Sequence, residues 1–183
     1  INLTAVNDAP VVTAASTATY TENASSATTL SSGLSLSDAD DTNIESGSVT
    51  IGSYTLGDTL TWTDQTGITA SYSAGTLTLS GSATLETYQA LLQSVKYSST
   101  SDDPTSSSAT RTITWSVTDA DSDGVGAQTT TATSTINLTA VNDAPVVTAA
   151  ATATYTEHAS SATTLSSGLS LSDADDTNIE SGS

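Results

Sequence analysis

The chain has 183 residues, of which 20 are acidic and two basic, for a net charge of −18. Lys96 and Arg111 are its only full cations, so it has no basic surface for nucleic acid or for an anionic membrane, and charge of this size favours bound divalent cations. Cysteine, methionine and phenylalanine are absent, so disulfide and thiol chemistry are excluded. The core must be thin, as between two sheets, built from Leu, Ile, Val, six Tyr and the two residues Trp62 and Trp115.

In chain order, alternation predicts a first strand around 18–21 and a second over 28–37, with Leu30, Leu34 and Leu36 in the core and Gly33 at a bulge. An acidic loop follows over 38–43. A third strand carries Val49 and Ile51, a fourth Leu60 and Trp62, and a fifth Ile68, Ala70 and Tyr72. Ser73-Ala74-Gly75 is a hairpin turn into a sixth strand over 76–79. Leu85, Tyr88, Leu91, Leu92 and Val95 then fall at helical spacing. They predict a helix of about three turns between 81 and 95, capped by Ser82, with Glu86 in its first turn and a sheet edge beneath it. Residues 95–98 return to strand, and 99–108 form a polar surface loop. Arg111, Ile113, Trp115 and Val117 share one face of a strand over 110–118, where Arg111 is expected to meet a carboxylate at the sandwich edge. Residues 119–128 turn the chain, and a last strand runs over 129–141. Seven or more short strands with one helix predict an all-β antiparallel sandwich.

This plan repeats. Residues 1–48 recur as 136–183, an offset of 135, with two differences: Ser16 against Ala151 and Asn23 against His158. The expected division is 1–10 as the end of one repeat with its linker, 11–145 as a complete repeat, and 146–183 as the start of the next. Two strands cannot bury a core alone, so that last segment is expected to belong to a longer array or to be completed by a neighbouring chain. No signal peptide or transmembrane run is visible, and no membrane insertion is expected of this segment.

At the joint, Val141-Asn142-Asp143-Ala144-Pro145, the proline has no N–H for a sheet ladder and ends the strand before it. Asn142 and Asp143 place amide and carboxylate oxygens there, donors that suit a hard cation. Three further oxygen-rich clusters stand out. Glu22-Asn23 recurs as Glu157-His158. Asp38-Ala-Asp40-Asp41-Thr-Asn43 recurs over 173–178. Asp119-Ala-Asp121-Ser-Asp123-Gly124 occurs once. The last matches the first half of an EF-hand loop, but its twelfth position is Thr130 and strands flank it, so a calcium loop of another kind is expected. Taken singly, each cluster reads equally well as a solvated turn. His158 faces Asn23 in the other copy, which argues against a catalytic or ligand role. Trp62 and Trp115 read as core residues before glycan platforms. The Asn-x-Ser/Thr triplets at Asn2, Asn23 and Asn137 are uninformative in so Ser/Thr-rich a chain. No nucleophile–base set, phosphate loop or closed zinc site appears, so no enzyme is expected.

Taken in order, Tyr20-Thr21-Glu22-Asn23, the Asp38–Asn43 loop, Leu92-Gln-Ser-Val95-Lys-Tyr97, Val117-Thr118-Asp119 and Val141-Asn-Asp-Ala-Pro145 resemble a cadherin repeat. More closely, they resemble the cadherin-like tandem repeats of giant bacterial surface adhesins, and the likeness covers the whole period. It implies a cadherin-like, Ig-like sandwich in tandem array, with calcium (Ca2+) between successive domains. Carried over, one junction is Asn7 and Asp8 with Asp38, Asp40, Asn43, Asp119 and Asp121. The other is Glu22 with Asn142, Asp143, Asp173, Asp175 and Asn178. The mid-domain Asp-Arg-Glu motif of animal cadherins has no counterpart; Leu85-Glu86 is nearest, inside the expected helix. The implied function is a calcium-rigidified extracellular repeat that spaces a long cell-surface adhesin or fibre, with neighbouring repeats of the same chain as partners. The alternatives are a recognition module for a glycan or protein, and a fibre subunit assembling laterally with identical chains.

Overall fold

The alternation over 110–118 produces the strand at the middle of the larger sheet. The structure is a computed structural model, and it describes every residue except Ala5, Asp123, Gly182 and Ser183. The described residues fall into two units, Ile1–Ala140 and Val141–Ser183. The first contains β1 (Val11–Thr13), β2 (Thr17–Thr21), β3 (Thr28–Thr29), β4 (Ser35–Ser37), β5 (Asn43–Ile51), β6 (Thr59–Thr61), β7 (Thr69–Ser73) and β8 (Thr76–Thr84). These are followed by α1 (Leu85–Gln93), β9 (Lys96–Ser98), β10 (Thr110–Asp119) and β11 (Thr129–Thr139). The second contains β12 (Val146–Thr148) and β13 (Ser170–Ser172).

The first unit is an all-β, sandwich-like fold with one short helix. A six-stranded sheet runs β2-β11-β10-β5-β8-β7, a three-stranded sheet runs β3-β9-β6, and β1 pairs with β4. Every pairing is antiparallel except β2 with β11, which is parallel, with Thr17 beside Thr135 and Thr21 beside Thr139. Residues of β10 alternate as expected: Arg111, Ile113, Trp115, Val117 and Asp119 are buried, and the Thr and Ser between them are half-buried or exposed. Tyr20 on β2 meets Tyr97 on β9 edge to face at 5.2 Å, a contact across the two sheets. The fully buried Trp115 donates from Nε1 to Ser134 Oγ.

Several elements differ from the sequence reading. The expected strand over 28–37 is two short strands, β3 and β4, in different sheets. The turn at Ser32-Gly33 separates them, so Gly33 sits in a turn and not at a bulge. β8 continues through Gly81 to Thr84, where a helix start was expected. Gly81 has φ +120°, and a Cβ there would lie 2.2 Å from the Gly67 carbonyl oxygen, so glycine permits the close approach of β8 to the turn before β7. The cap of α1 is accordingly Thr84, whose Oγ1 accepts the Thr87 N–H, and not Ser82. The helix buries Tyr88, Leu91 and Leu92. Its polar side chains serve β4: Gln89 Oε1 accepts the Leu36 N–H, and Gln93 Nε2 donates to the Leu34 carbonyl. The hairpin at Ala74-Gly75 is as expected, with both residues at positive φ, the two-residue turn that matches strand twist.

Arg111 is buried and not at an edge. Its Nε donates to Asp58 Oδ2 at 2.8 Å, and its other nitrogens donate to Thr55 Oγ1 and to the carbonyls of Pro104, Ser108 and Thr110. Asp58 also accepts from Tyr97 Oη and the Thr55 N–H. One charge pair thus ties the 99–108 loop and the turn before β6 to the sheet.

The repeated segment behaves differently in its two copies. Tyr20 is 2 % exposed and its counterpart Tyr155 65 %; Leu34 is 1 % exposed and Leu169 61 %.

Candidate metal centre

The chain enters the first unit at the β10–β11 hairpin. Asn7 Nδ2 donates to Asp119 Oδ2 at 3.0 Å and to the Gly126 carbonyl at 3.3 Å. The next residue, Asp8, donates its backbone N–H to both carboxylate oxygens of Asp40, at 3.1 and 3.3 Å. Because Asn7 and Asp8 are adjacent, these bonds bring the hairpin and the Asp38–Asp41 loop to one joint. A backbone bond from Ala120 N–H to the Asn43 carbonyl closes the same corner. The chain leaves at the far end of β11, where Glu22 N–H donates to the Thr139 carbonyl.

Asp38 organises the loop. Its Oδ1 accepts the N–H groups of both Asp40 and Asp41, an Asx turn that reverses the chain. This turn explains a residue the sequence reading missed. In an extended loop, spacing by two selects Asp38 and Asp40. The turn instead leaves Asp40 exposed and carries Asp41 inward, where it is 5 % exposed. Its place between two assigned ligands was the only available signal.

Asn7 is 6 % exposed and Asp119 fully buried. Asp119 Oδ1 accepts the Gln128 N–H at 2.6 Å, and its Oδ2 takes the Asn7 amide. Among the described residues, three buried oxygens at the joint accept no hydrogen bond: Asn7 Oδ1, Asp38 Oδ2 and Asp41 Oδ2. The two ion pairs of the described residues, Arg111–Asp58 and His158–Glu157, lie elsewhere. A carboxylate without a countercharge is costly to bury. At Asp40, the Asp8 N–H lowers the pKa, but desolvation by its neighbours, a hydrogen bond with Asp38 and the charges of Asp38 and Asp8 outweigh it, and the net shift is upward.

The other assigned residues are placed as follows. Asn43 Nδ2 donates to Ser82 Oγ at 3.4 Å, so its side chain is engaged with β8. Asp121 Oδ1 accepts the Gly126 N–H and shapes the hairpin loop. Asp123 lies outside the described residues. Glu22 is buried at the exit end of the unit, away from the Asn7 joint. In the second unit, the Asp143 N–H donates to Asp175 Oδ2 at 2.6 Å, and Asp173 Oδ1 accepts the N–H groups of Asp175 and Asp176. Asn142 Nδ2 turns to the Asp143 carbonyl. Asn142, Asp143, Asp173 and Asn178 line one shallow cavity of about 240 Å³.

Among the described residues, no group of three His, Cys, Asp and Glu side chains stands together as a preformed metal cluster. The first joint is a mixed set, one amide and several carboxylates, with the carboxylates partly turned to backbone N–H groups. Its donor chemistry still fits a hard divalent cation: all oxygen, three of them buried without a hydrogen bond, and no countercharge. Trp62 is half-buried, and its Nε1 donates to Asp64 Oδ1 beside a shallow cavity lined by Leu60, Thr61, Trp62 and Asp64. No known protein family, curated protein or solved structure matches the chain.

Proposed function

We propose that the chain is part of a non-catalytic tandem-repeat protein whose joints are stiffened by calcium, and that it works outside the cell as a spacer in a long surface adhesin or fibre. The observation that carries this reading is the Asn7 joint: buried oxygens of Asn7, Asp38 and Asp41 without hydrogen bonds, next to the fully buried Asp119. Calcium, when bound, would supply the positive charge that these carboxylates lack. The residues divide the work. Asn7 and Asp8 belong to the linker, Asp38 and Asp41 to the loop before β5, and Asp119 to the hairpin, so a shared ion ties the linker to the repeat that follows it. The linker enters the unit at one end and β11 leaves at the other, a path that suits repeats strung end to end. The cadherin-like order of the motifs points the same way, and calcium at such joints is what that resemblance implies.

The test is thermal unfolding and small-angle scattering of the chain, with calcium and with excess chelator. A cation bound to the folded state alone adds about 2.7 kcal/mol at a hundredfold excess over its Kd, so melting should shift upward by several degrees. The particle should also be stiffer with calcium. Identical curves in calcium and chelator would reduce the acidic loops to solvated turns and sink the proposal. The recognition reading has one feature behind it, the half-exposed Trp62 ring beside its shallow cavity. Trp62→Ala should leave glycan adhesion unchanged if the spacer reading is right.

A further inference from the structure

We propose that the free edge of β7 pairs antiparallel with the same edge of a second copy of this chain, about a two-fold axis at Ser71. β7 is the last strand of the six-stranded sheet, and among the described residues it pairs with β8 alone. The two-residue turn at Ala74-Gly75 makes Ser73 and Thr76 a hydrogen-bonded pair, and in an antiparallel ladder such pairs alternate. Thr69, Ser71 and Ser73 therefore commit their backbone groups to β8, and Ala70 and Tyr72 direct their N–H and C=O outward. Sheet edges are normally blunted by charge, by proline or by a covering group. At the opposite edge of the same sheet, Thr28 Oγ1 donates to the Thr19 carbonyl of β2. β6, at an edge of the smaller sheet, is flanked by Asp58 and Asp64. β7 carries neither charge nor proline: Gln65 to Leu85 is the longest uncharged run of the chain and has no proline in it. The edge is also held in place, because Tyr72 Oη donates to the Asp58 carbonyl.

The strand is its own complement. With Ser71 on the axis, Ala70 of one copy faces Tyr72 of the other, twice, and each pair exchanges both of its bonds, so the outward backbone groups of all four residues are satisfied. The half-buried Ala70 and Tyr72 side chains meet on one face, and the exposed Thr69, Ser71 and Ser73 line the other. The two six-stranded sheets become one continuous sheet. Charge selects the place. At a net −18, two copies repel over most of their surface, and this edge brings no charge to the contact. A strand of five residues, about 17 Å long, makes a small contact, so the dimer is weak and depends on concentration. The pairing uses residues of the first unit alone and needs no calcium, so it goes beyond the spacer reading and does not rest on it.

The experiment uses the full chain, which has no cysteine of its own. Ser71→Cys, at an exposed position, brings two Cα atoms about 4.5 Å apart across the axis, within disulfide reach. Ser73→Cys, exposed on the same strand, leaves them about 13 Å apart, beyond that reach. Under mild oxidation, Ser71→Cys should give at least about tenfold more covalent dimer than Ser73→Cys. Adding Ala70→Pro, which removes an outward N–H and no bond to β8, should cut that dimer at least about tenfold. Ser71→Asp and Ser71→Lys change no backbone group. In sedimentation up to about 1 mM, each alone should be monomeric and their equal mixture should dimerise, because like charges face each other in the first case and opposite charges in the second. Equal crosslinking at 71 and 73 would reduce the contact to random collision and overturn the inference. A mixture of the two charge variants that stays monomeric throughout the series would overturn it as well.

Discussion

The two copies of the repeated segment share nearly all of their sequence and only part of their structure. Both form the short hairpin, Val11–Thr13 with Ser35–Ser37 and Val146–Thr148 with Ser170–Ser172, in the same register. Both make the bond from the linker aspartate to the loop, Asp8 to Asp40 and Asp143 to Asp175. Both make the Asx turn at Asp38 or Asp173 and the bond from Ala15 or Ala150 to a serine hydroxyl. The partners in these contacts lie at most 32 residues apart. β2 and β3 form only in the first copy, where β11 and β9 are present to pair with them. Residues 152–156 and 163–164 repeat those sequences outside any strand. The linker-to-loop contacts are therefore encoded locally, and the strands that bury the apolar residues are encoded by the body they join.

The sharpest way to break this comparison is to break the body itself. Asp58→Ala leaves the Arg111 guanidinium buried without its carboxylate and should cost about 3–5 kcal/mol in denaturant unfolding. The same group gives a pH dependence. Burial raises the pKa of Asp58, but hydrogen bonds from Arg111, Tyr97 and Thr55 and the Arg111 charge outweigh it, and the net shift is below 3.8. Its contribution is thus complete above the unfolded value and is lost as pH falls through the folded one. Melting should drop on acidification below about pH 4, and less steeply in Asp58→Asn.

Next comes the paired truncation. Leu34→Ala should destabilise by about 2–5 kcal/mol, whereas Leu169→Ala, the same change in the same local sequence, should stay within about 0.5 kcal/mol. Equal effects at the two positions would mean that the second copy is packed as the first is. The smallest effect belongs to one of the two differing positions. Asn23 and His158 both adopt positive φ, at 57° and 62°, in exposed turns. Both residue types tolerate that region better than most, so Asn23→His should shift stability by no more than about 0.5 kcal/mol.

The same division between local and distant contacts explains what could be read from the sequence. The alternation of β10 and the Ala74-Gly75 hairpin rest on neighbouring residues, and each lies where the pattern put it. The apolar spacing of Leu85, Tyr88, Leu91 and Leu92 marked the helix. Its start was misplaced because Gly81 answers to the Gly67 carbonyl, which no local pattern shows. The split of 28–37 into two sheets depends on β9 and β1, and the Arg111–Asp58 pair joins residues 53 apart. At the candidate site, Asn7, Asp38 and Asp119 were legible as oxygen-rich positions. The burial of Asp41 was not, because the Asx turn at Asp38 reverses the spacing that an extended loop would give.

The most direct test of the account is a calcium titration by calorimetry on the chain and on its Asp119→Asn variant. The account predicts saturable binding to the wild type and an affinity at least about tenfold weaker in Asp119→Asn, a loss of about 1.4 kcal/mol. Binding that never saturates, or that is equally tight without the Asp119 carboxylate, would contradict the assignment of a cation to the Asn7 joint.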